Sequence, residues 1–363
     1  MQKVFETHLH YTYKVPVRES AELFNKAFKL YNVEKAVFLS FPSDGQAKEY
    51  DRTQNLKGLY LKSVFGENGY AYAGLEHKFL GEDKDSEDFL SQIKEYDAAG
   101  FDGIKMYEGH PHMWKLTGYS FADNVYEKFF SCAEEKGIPI TMHLANDHSF
   151  WNEKEISYYW RYVRNCFFDE SFPSLEILYS ALFELMDRHP RLKLTLAHCG
   201  FMSDSVERME RFLEYKNARI DVTPGGNQLI NMALGREEWV PFIEKFADKI
   251  KYGSDTYNYY YKNREEWENL VMLRNDLIKN FFLTDAEHEY QNKKYVGINL
   301  KREYADKIFF TNAEAELGKP KIINYDYAEA KAKELKVLFA EGSLDNYDMT
   351  CLADYFAESK KNI

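Results

Sequence analysis

The chain has 363 residues, 45% of them hydrophobic and 29% charged, the composition of a folded globular protein and not of a disordered one. Its formal net charge of −12 argues against nucleic acid as a partner, since phosphate binding needs a basic patch. No apolar run approaches the roughly 20 residues of a membrane helix, the N-terminus is interrupted at once by charge, and Cys132, Cys166, Cys199 and Cys351 form neither a CxxC nor a disulfide framework, so the expectation is a cytoplasmic protein with reduced thiols.

Taken in order, short apolar runs predict strands at Val4–His8, Lys35–Ser40, Tyr70–Leu75, Gly103–Tyr107, Pro139–His143, Lys193–His198, Ala218–Thr223 and Lys249–Ser254. Amphipathic stretches between them predict helices at Asp85–Ala99, Asn124–Lys136, Leu175–Arg188, Ser205–Lys216 and Glu237–Lys249. Strand and helix in alternation mean parallel strands with crossover helices. Eight units, with no Gly-rich phosphate fingerprint after the first strand, favour a (β/α)8 TIM barrel over an open doubly wound sheet. The connection from strand five to strand six is too long for a crossover, so residues 144–173 are expected as an insertion over the barrel mouth. Residues 1–318 make the barrel, and 319–363 a C-terminal helical extension packed on it.

Barrel enzymes carry their chemistry where strands end at the C-terminal face. In Val4-Phe5-Glu6-Thr7-His8-Leu9-His10 the two histidines share a face of one strand, because side chains alternate, and make half of a metal site. Strand four carries Lys105, strand five ends at His143, strand six at His198, and strand eight at Asp255. Each alone has an ordinary structural explanation, as a hydrogen-bonded core histidine or a turn aspartate. Their recurrence at one end of successive strands does not. Around them, Tyr257, Tyr259, Tyr260 and Tyr261 follow Asp255 and are candidates to line a pocket. Arg161 and Arg164 share a helix face in the insertion and could bind an anionic substrate group. His110 and His112 read as loop residues at the pocket rim, and His148 as a residue of the insertion.

The order HxH, His, His, Asp on strands one, five, six and eight resembles the amidohydrolase superfamily, and most closely its amidohydrolase-related branch. Ala197-His198-Cys199-Gly200 resembles that branch's His-x-Gly after strand six. Tyr252-Gly253-Ser254-Asp255-Thr256 resembles its Gly-Ser-Asp motif. Ile308-Phe309-Phe310-Thr311-Asn312-Ala313 with Leu317-Gly318 resembles its closing helix. The likeness runs from residue 1 to about 318, with Glu6 standing where the family usually has Asp. It implies one divalent metal, zinc with Mn or Fe as alternatives, held by His8, His10, His143 and Asp255. Asp255 and His198 would share the work of activating a water. Lys105 would face substrate, with metal bridging in a carboxylated form as the alternative; Arg161 and Tyr257 are further substrate contacts. The implied reaction is hydrolysis of a small-molecule amide, ester or lactone. The alternative is non-oxidative decarboxylation or C–C cleavage of a carboxylated aromatic or unsaturated acid. A phosphoesterase that also opens with HxH would close with Asp-x-His, and Tyr257 occupies that place. The partner is a small molecule, with a homo-oligomer left open.

Overall fold

The computed structural model describes residues 2–11, 15–41, 48–77, 88–162, 166–225, 227–258 and 263–362. The chain begins with β1 (Val4–His10), α1 (Val17–Tyr31), β2 (Val33–Leu39), α2 (Lys48–Phe65), β3 (Gly69–Gly74), α3 (Phe89–Ala99), β4 (Gly103–Gly109), α4 (Pro111–Thr117), α5 (Glu127–Lys136) and β5 (Ile140–Leu144). It continues through α6 (Tyr158–Tyr162), α7 (Leu175–Arg188), β6 (Leu194–Leu196), α8 (Val206–Glu214), β7 (Arg219–Asp221), α9 (Gln228–Leu234), α10 (Arg236–Lys245), β8 (Ile250–Lys251) and β9 (Thr256–Tyr257). It ends with α11 (Arg264–Leu283), the hairpin β10 (Glu287–Tyr290) and β11 (Lys293–Val296), α12 (Arg302–Asp306), α13 (Asn312–Leu317), α14 (Tyr325–Lys336) and α15 (Leu344–Ser359).

The local chemistry accounts for these elements. In α1, Val17, Ala21, Phe24, Ala27 and Tyr31 recur at helical spacing and are the buried face. Asp88 caps α3 by accepting the Ser91 amide, and Gly100 ends it in the left-handed region at φ 95°. The expected start of that helix at Asp85 lies outside the described residues. Ser174 caps α7 through the Ile177 amide. The strands β1, β3, β4 and β5 are buried along nearly their whole length, as strands covered by helices must be.

The nine-stranded sheet has the order β8-β7-β6-β5-β4-β3-β2-β1-β9, parallel throughout. Its two outer strands are one stretch of chain, interrupted at residues 252–255. Within the interruption the Thr7 amide donates to the Tyr252 carbonyl at 3.1 Å and the Asp255 amide to the His8 carbonyl at 2.9 Å. The sheet therefore curls until its last strand region lies against its first. Glycine is required at the seam, since a Cβ on Gly253 would stand 2.8 Å from the His8 Cβ and 2.6 Å from the Thr223 Oγ1.

Behind the sheet, α14 and α15 pack on α2. A buried cluster fixes this contact: Lys57 Nζ lies 2.9 Å from Asp348 Oδ2 and 3.5 Å from Asp345 Oδ1, while Asp348 Oδ1 accepts the Val17 amide at 3.1 Å. Among the described residues, no helix is long and apolar enough to cross a membrane.

Candidate metal centre

β1 ends with His8 and His10 on one face, both buried, and Asp255 comes from the interruption between β8 and β9. One ligand atom from each falls within a common 4.8 Å. His8 Nε2 and His10 Nε2 are 3.1 Å apart, and Asp255 Oδ1 stands 3.8 Å and 3.7 Å from them. Ligands bound to a tetrahedral zinc at ordinary bond lengths are roughly 3.4 Å apart.

The opposite ring nitrogens assign the protons. His10 Nδ1 faces the Leu39 carbonyl at 3.1 Å, which can only accept, and His8 Nδ1 faces the Asp221 carboxylate at 2.8 Å. Burial holds both imidazoles well below their usual pKa, with Lys105 adding to the effect at His8 and His8 adding to it at His10. Neutral rings protonated on Nδ1 present lone pairs on Nε2. Two lone pairs thus face each other, a contact that no proton bridges and that a cation between them satisfies. The donor set fits a divalent metal, and each imidazole already has the outer hydrogen bond that metal-binding histidines use for orientation.

Asp255 is divided between two partners. Oδ1 faces the histidines, while Oδ2 accepts from Arg274 Nη1 at 2.8 Å. Burial raises its carboxyl to about 6 despite the Arg274 charge. Its φ of 55° lies in the left-handed region, which non-glycine residues hold only when the surroundings fix them. Glu6 helps to fix them: its Oε1 accepts both the His8 amide and the Ser254 amide at 2.9 Å, replacing ladder bonds missing where β1 shifts register. Burial pushes the Glu6 carboxyl up to about 8.

His198 follows β6 in a run of left-handed residues, His198, Cys199, Gly200 and Phe201. Its amide is held by Asp221 Oδ1 at 2.9 Å and its Nδ1 donates to the Thr223 carbonyl at 3.3 Å, which leaves Nε2 as the accepting atom. Its ring centroid is 5.3 Å from that of His8, and burial keeps it neutral by pushing its pKa well down. Gly225 makes room, because a Cβ there would meet the ring at 2.7 Å.

His143, expected as a fourth ligand, stands beside the cluster and not in it. Its ring is 4.9 Å from that of His198, but its Nε2 donates to the Ala145 carbonyl at 3.0 Å, which the left-handed Ala145 turns back toward it. Burial, then Lys105, lowers its pKa to about 3. Lys105 is buried on β4, and burial lowers its pKa to about 8 against the upward pull of Asp221, Asp255 and Glu108. Tyr257 pairs in register with His10, with its ring 5.1 Å from the imidazole. Arg161 is not brought to this group. It sits on the exposed α6 and pairs with Glu153 of its own segment at 3.6 Å. Arg164 and Tyr259–Tyr261 lie outside the described residues.

His110 and His112, expected in a rim loop, are better placed than that. His110 caps α4, with Pro111 in the helix's first position, and is buried. Tyr107 stacks on His110 at 4.5 Å and His110 on His112 at 5.2 Å, with Phe167 and Phe172 packed against them. Phe41 joins this wall to His10 through contacts of 5.0 Å with Tyr107 and 5.2 Å with His10. His148 is exposed and pairs with Glu155. Sequence reasoning did not single out Asp221 or Arg274. Asp221 was findable, since an acid within an apolar strand, here buried, needs partners. Arg274 sits among ordinary helical residues and gives no such signal.

The amidohydrolase family model matches residues 81–319. The chain belongs to that family. The matched stretch of this amidohydrolase contains His143, His198 and Asp255, whereas His8 and His10 precede it and reach the site through the fold. No curated protein matches the sequence. Solved structures share the fold at low identity. A 2,6-dihydroxybenzoate decarboxylase in complex with 2,6-dihydroxybenzoate has TM-score 0.51 and 15% identity, covering 87% of this chain and 99% of its own. A dihydroxybenzoic acid decarboxylase from Polaromonas sp. JS666, with bound manganese and the inhibitor 2-nitroresorcinol, has TM-score 0.51 and 12% identity over 87% and 97%. A 4-oxalomesaconate hydratase from Rhodopseudomonas palustris has TM-score 0.52 and 12% identity over 92% and 99%.

Proposed function

We propose that this amidohydrolase is a divalent-metal-dependent enzyme that hydrolyses a small-molecule amide, ester or lactone. The observation that carries the reading is the pair of Nε2 lone pairs held face to face with Asp255 Oδ1 beside them. His8, His10 and Asp255 would hold the ion, zinc or manganese or iron, with His143 as the fourth ligand once its ring turns from Ala145. A cation bound there supplies Lewis acidity toward water or a substrate oxygen. His198 takes up the proton at Nε2, because its Nδ1 is already donating and Asp255 Oδ2 is engaged by Arg274. Lys105 pairs with an acidic group of the substrate, and Tyr257, Phe41 and Tyr107 supply flat apolar contacts around it. In the same reading the curled sheet is a closed (β/α)8 barrel of residues 1–318, with 144–173 over its mouth and 319–363 as a helical extension. The Thr7 and Asp255 hydrogen bonds across the seam support the closure.

Decarboxylation or C–C cleavage of a carboxylated aromatic acid is a second reading of equal standing. The wall of Phe41, Tyr107, His110 and Tyr257 rings beside a buried lysine suits a flat carboxylate, and two of the solved relatives are decarboxylases of dihydroxybenzoic acids. Chelator-stripped protein, reloaded with Zn, Mn or Fe, should be assayed in parallel for CO2 release from hydroxybenzoic acids and for hydrolysis of amides, esters and lactones. Activity that survives stripping and does not respond to any metal refutes the metal-dependent reading. Turnover of one panel alone decides between the two reactions.

A further inference from the structure

The strained end of the eighth strand region is gripped from outside the sheet by α11. Three residues on one face of α11 reach residues 252–257. The Trp267 indole N–H donates to the Tyr257 carbonyl, the Tyr252 hydroxyl donates to Asn275 Oδ1, and between them Arg274 takes Asp255. Positions 267, 274 and 275 are spaced by seven and eight residues, two turns of helix, so they form one stripe. Trp267 and Asn275 are buried and the Arg274 side chain is 16% exposed, so the stripe is packed against the strand region. Arg274 makes the contacts that bear on chemistry. Its Nη1 donates to both Oδ2 and the backbone carbonyl of Asp255, and lies 3.5 Å from the Ser254 carbonyl. One guanidinium therefore fixes the backbone and the side chain of the same left-handed residue.

We propose that Arg274 is a positioning residue: by occupying Asp255 Oδ2 and its carbonyl, it leaves Oδ1 as the one carboxylate oxygen turned to His8 and His10 and so presets a monodentate metal ligand. The inference rests on the metal-dependent reading above. Without Arg274, Asp255 is free to leave its left-handed conformation, and the carboxylate loses the restraint that aims it. Ligating carboxylates are themselves hydrogen-bonded, and loss of such partners costs metal affinity roughly 10–100-fold.

The test is calorimetric titration of Mn²⁺ or Zn²⁺ into chelator-stripped full-length protein, comparing wild type, Arg274→Ala and Arg274→Lys, each also with millimolar guanidinium chloride. The expected result is at least a tenfold loss of affinity in Arg274→Ala. Arg274→Lys, which keeps the charge but on a compact, more strongly hydrated ammonium with a different reach, falls between the two. Added guanidinium restores Arg274→Ala and leaves wild type unchanged, a recovery that damage to folding would not show. Wild-type affinity in Arg274→Ala overturns the proposal. So does a loss that guanidinium does not relieve with Arg274→Lys no better than Arg274→Ala. A wild type that takes up no metal overturns the metal-dependent reading itself, which separates the two failures.

Discussion

In the proposed metal centre, Asp255 sets the acid limit of metal binding. Its carboxyl is held at about 6, so it is largely protonated below that pH and must release a proton to ligate. His8 and His10 are pushed well below their ordinary value and remain neutral over the same range. Metal affinity should therefore fall about tenfold per pH unit below pH ~6, the slope of a single proton. A competition titration between pH 4.5 and 8 checks this; a steeper slope means that the imidazoles co-titrate, and a flat profile contradicts the Asp255 assignment. Asp221 gives a second prediction. It accepts from His8 Nδ1 and from the His198 amide, so Asp221→Asn, which can turn an N–H toward either, should weaken metal binding roughly 10–100-fold. Gly225→Ala acts on one side of the site alone. Its Cβ would lie 2.7 Å from the His198 ring, so turnover should drop while metal affinity is kept. His8, His10 and Asp255 were legible because residue type and strand end were enough to find them. Of the residues that hold them, Glu6 and Asp221 left a trace in the sequence, as an acid beside the first histidine and an acid within a strand, whereas Arg274 acts across a gap of 19 residues that no local pattern encodes.

At the scale of elements, the strands were read within a few residues, since a strand covered on both faces must be apolar and short. The eighth departs from its expected span, Lys249–Ser254. It stops at Lys251 and resumes at Thr256, because the chain between leaves the ladder to present Asp255, and Glu6 receives the amide set free. The hairpin β10–β11 had no signature, being Glu-His-Glu-Tyr against Lys-Lys-Tyr-Val with one side in solvent. The C-terminal helices were expected as an extension packed on the barrel. Their attachment includes a buried ion cluster, with Lys57 facing Asp345 and Asp348. The 2.9 Å contact with Asp348 Oδ2 is an ion pair without hydrogen-bond geometry, which leaves that oxygen dependent on the lysine charge. Lys57→Met should cost about 3–5 kcal/mol of stability, because it strands buried carboxylates. Denaturant unfolding measures the loss, and hydrogen exchange should show it concentrated in α14 and α15. A change below about 1 kcal/mol would mean that the cluster is solvated and the helices are held by apolar packing alone.

For the molecule as a whole, alternation of strand and helix was enough to give an α/β fold on a parallel sheet, and the family resemblance agrees with the match over residues 81–319. What alternation could not give is chemistry. In the proposed readings hydrolysis and decarboxylation would use the same strands and the same ion, and they would differ in the side chains set around the substrate. Phe167 and Phe172, which pack on His110 and His112, belong to a long connection whose placement depends on where it settles and not on periodicity.

The facing imidazole nitrogens of β1 carry a thermal consequence. The native fold keeps two unshared electron pairs 3.1 Å apart, and the unfolded chain does not. A cofactor that binds only the native form stabilises it by mass action, about 2.7 kcal/mol at a hundred times its dissociation constant. Melting in chelator should thus begin well below melting in excess Zn²⁺ or Mn²⁺, and His10→Gln should abolish most of the gap. The first strand of the chain would then act as a sensor of metal supply, with the persistence of the whole protein tied to the ion that the proposed activity requires.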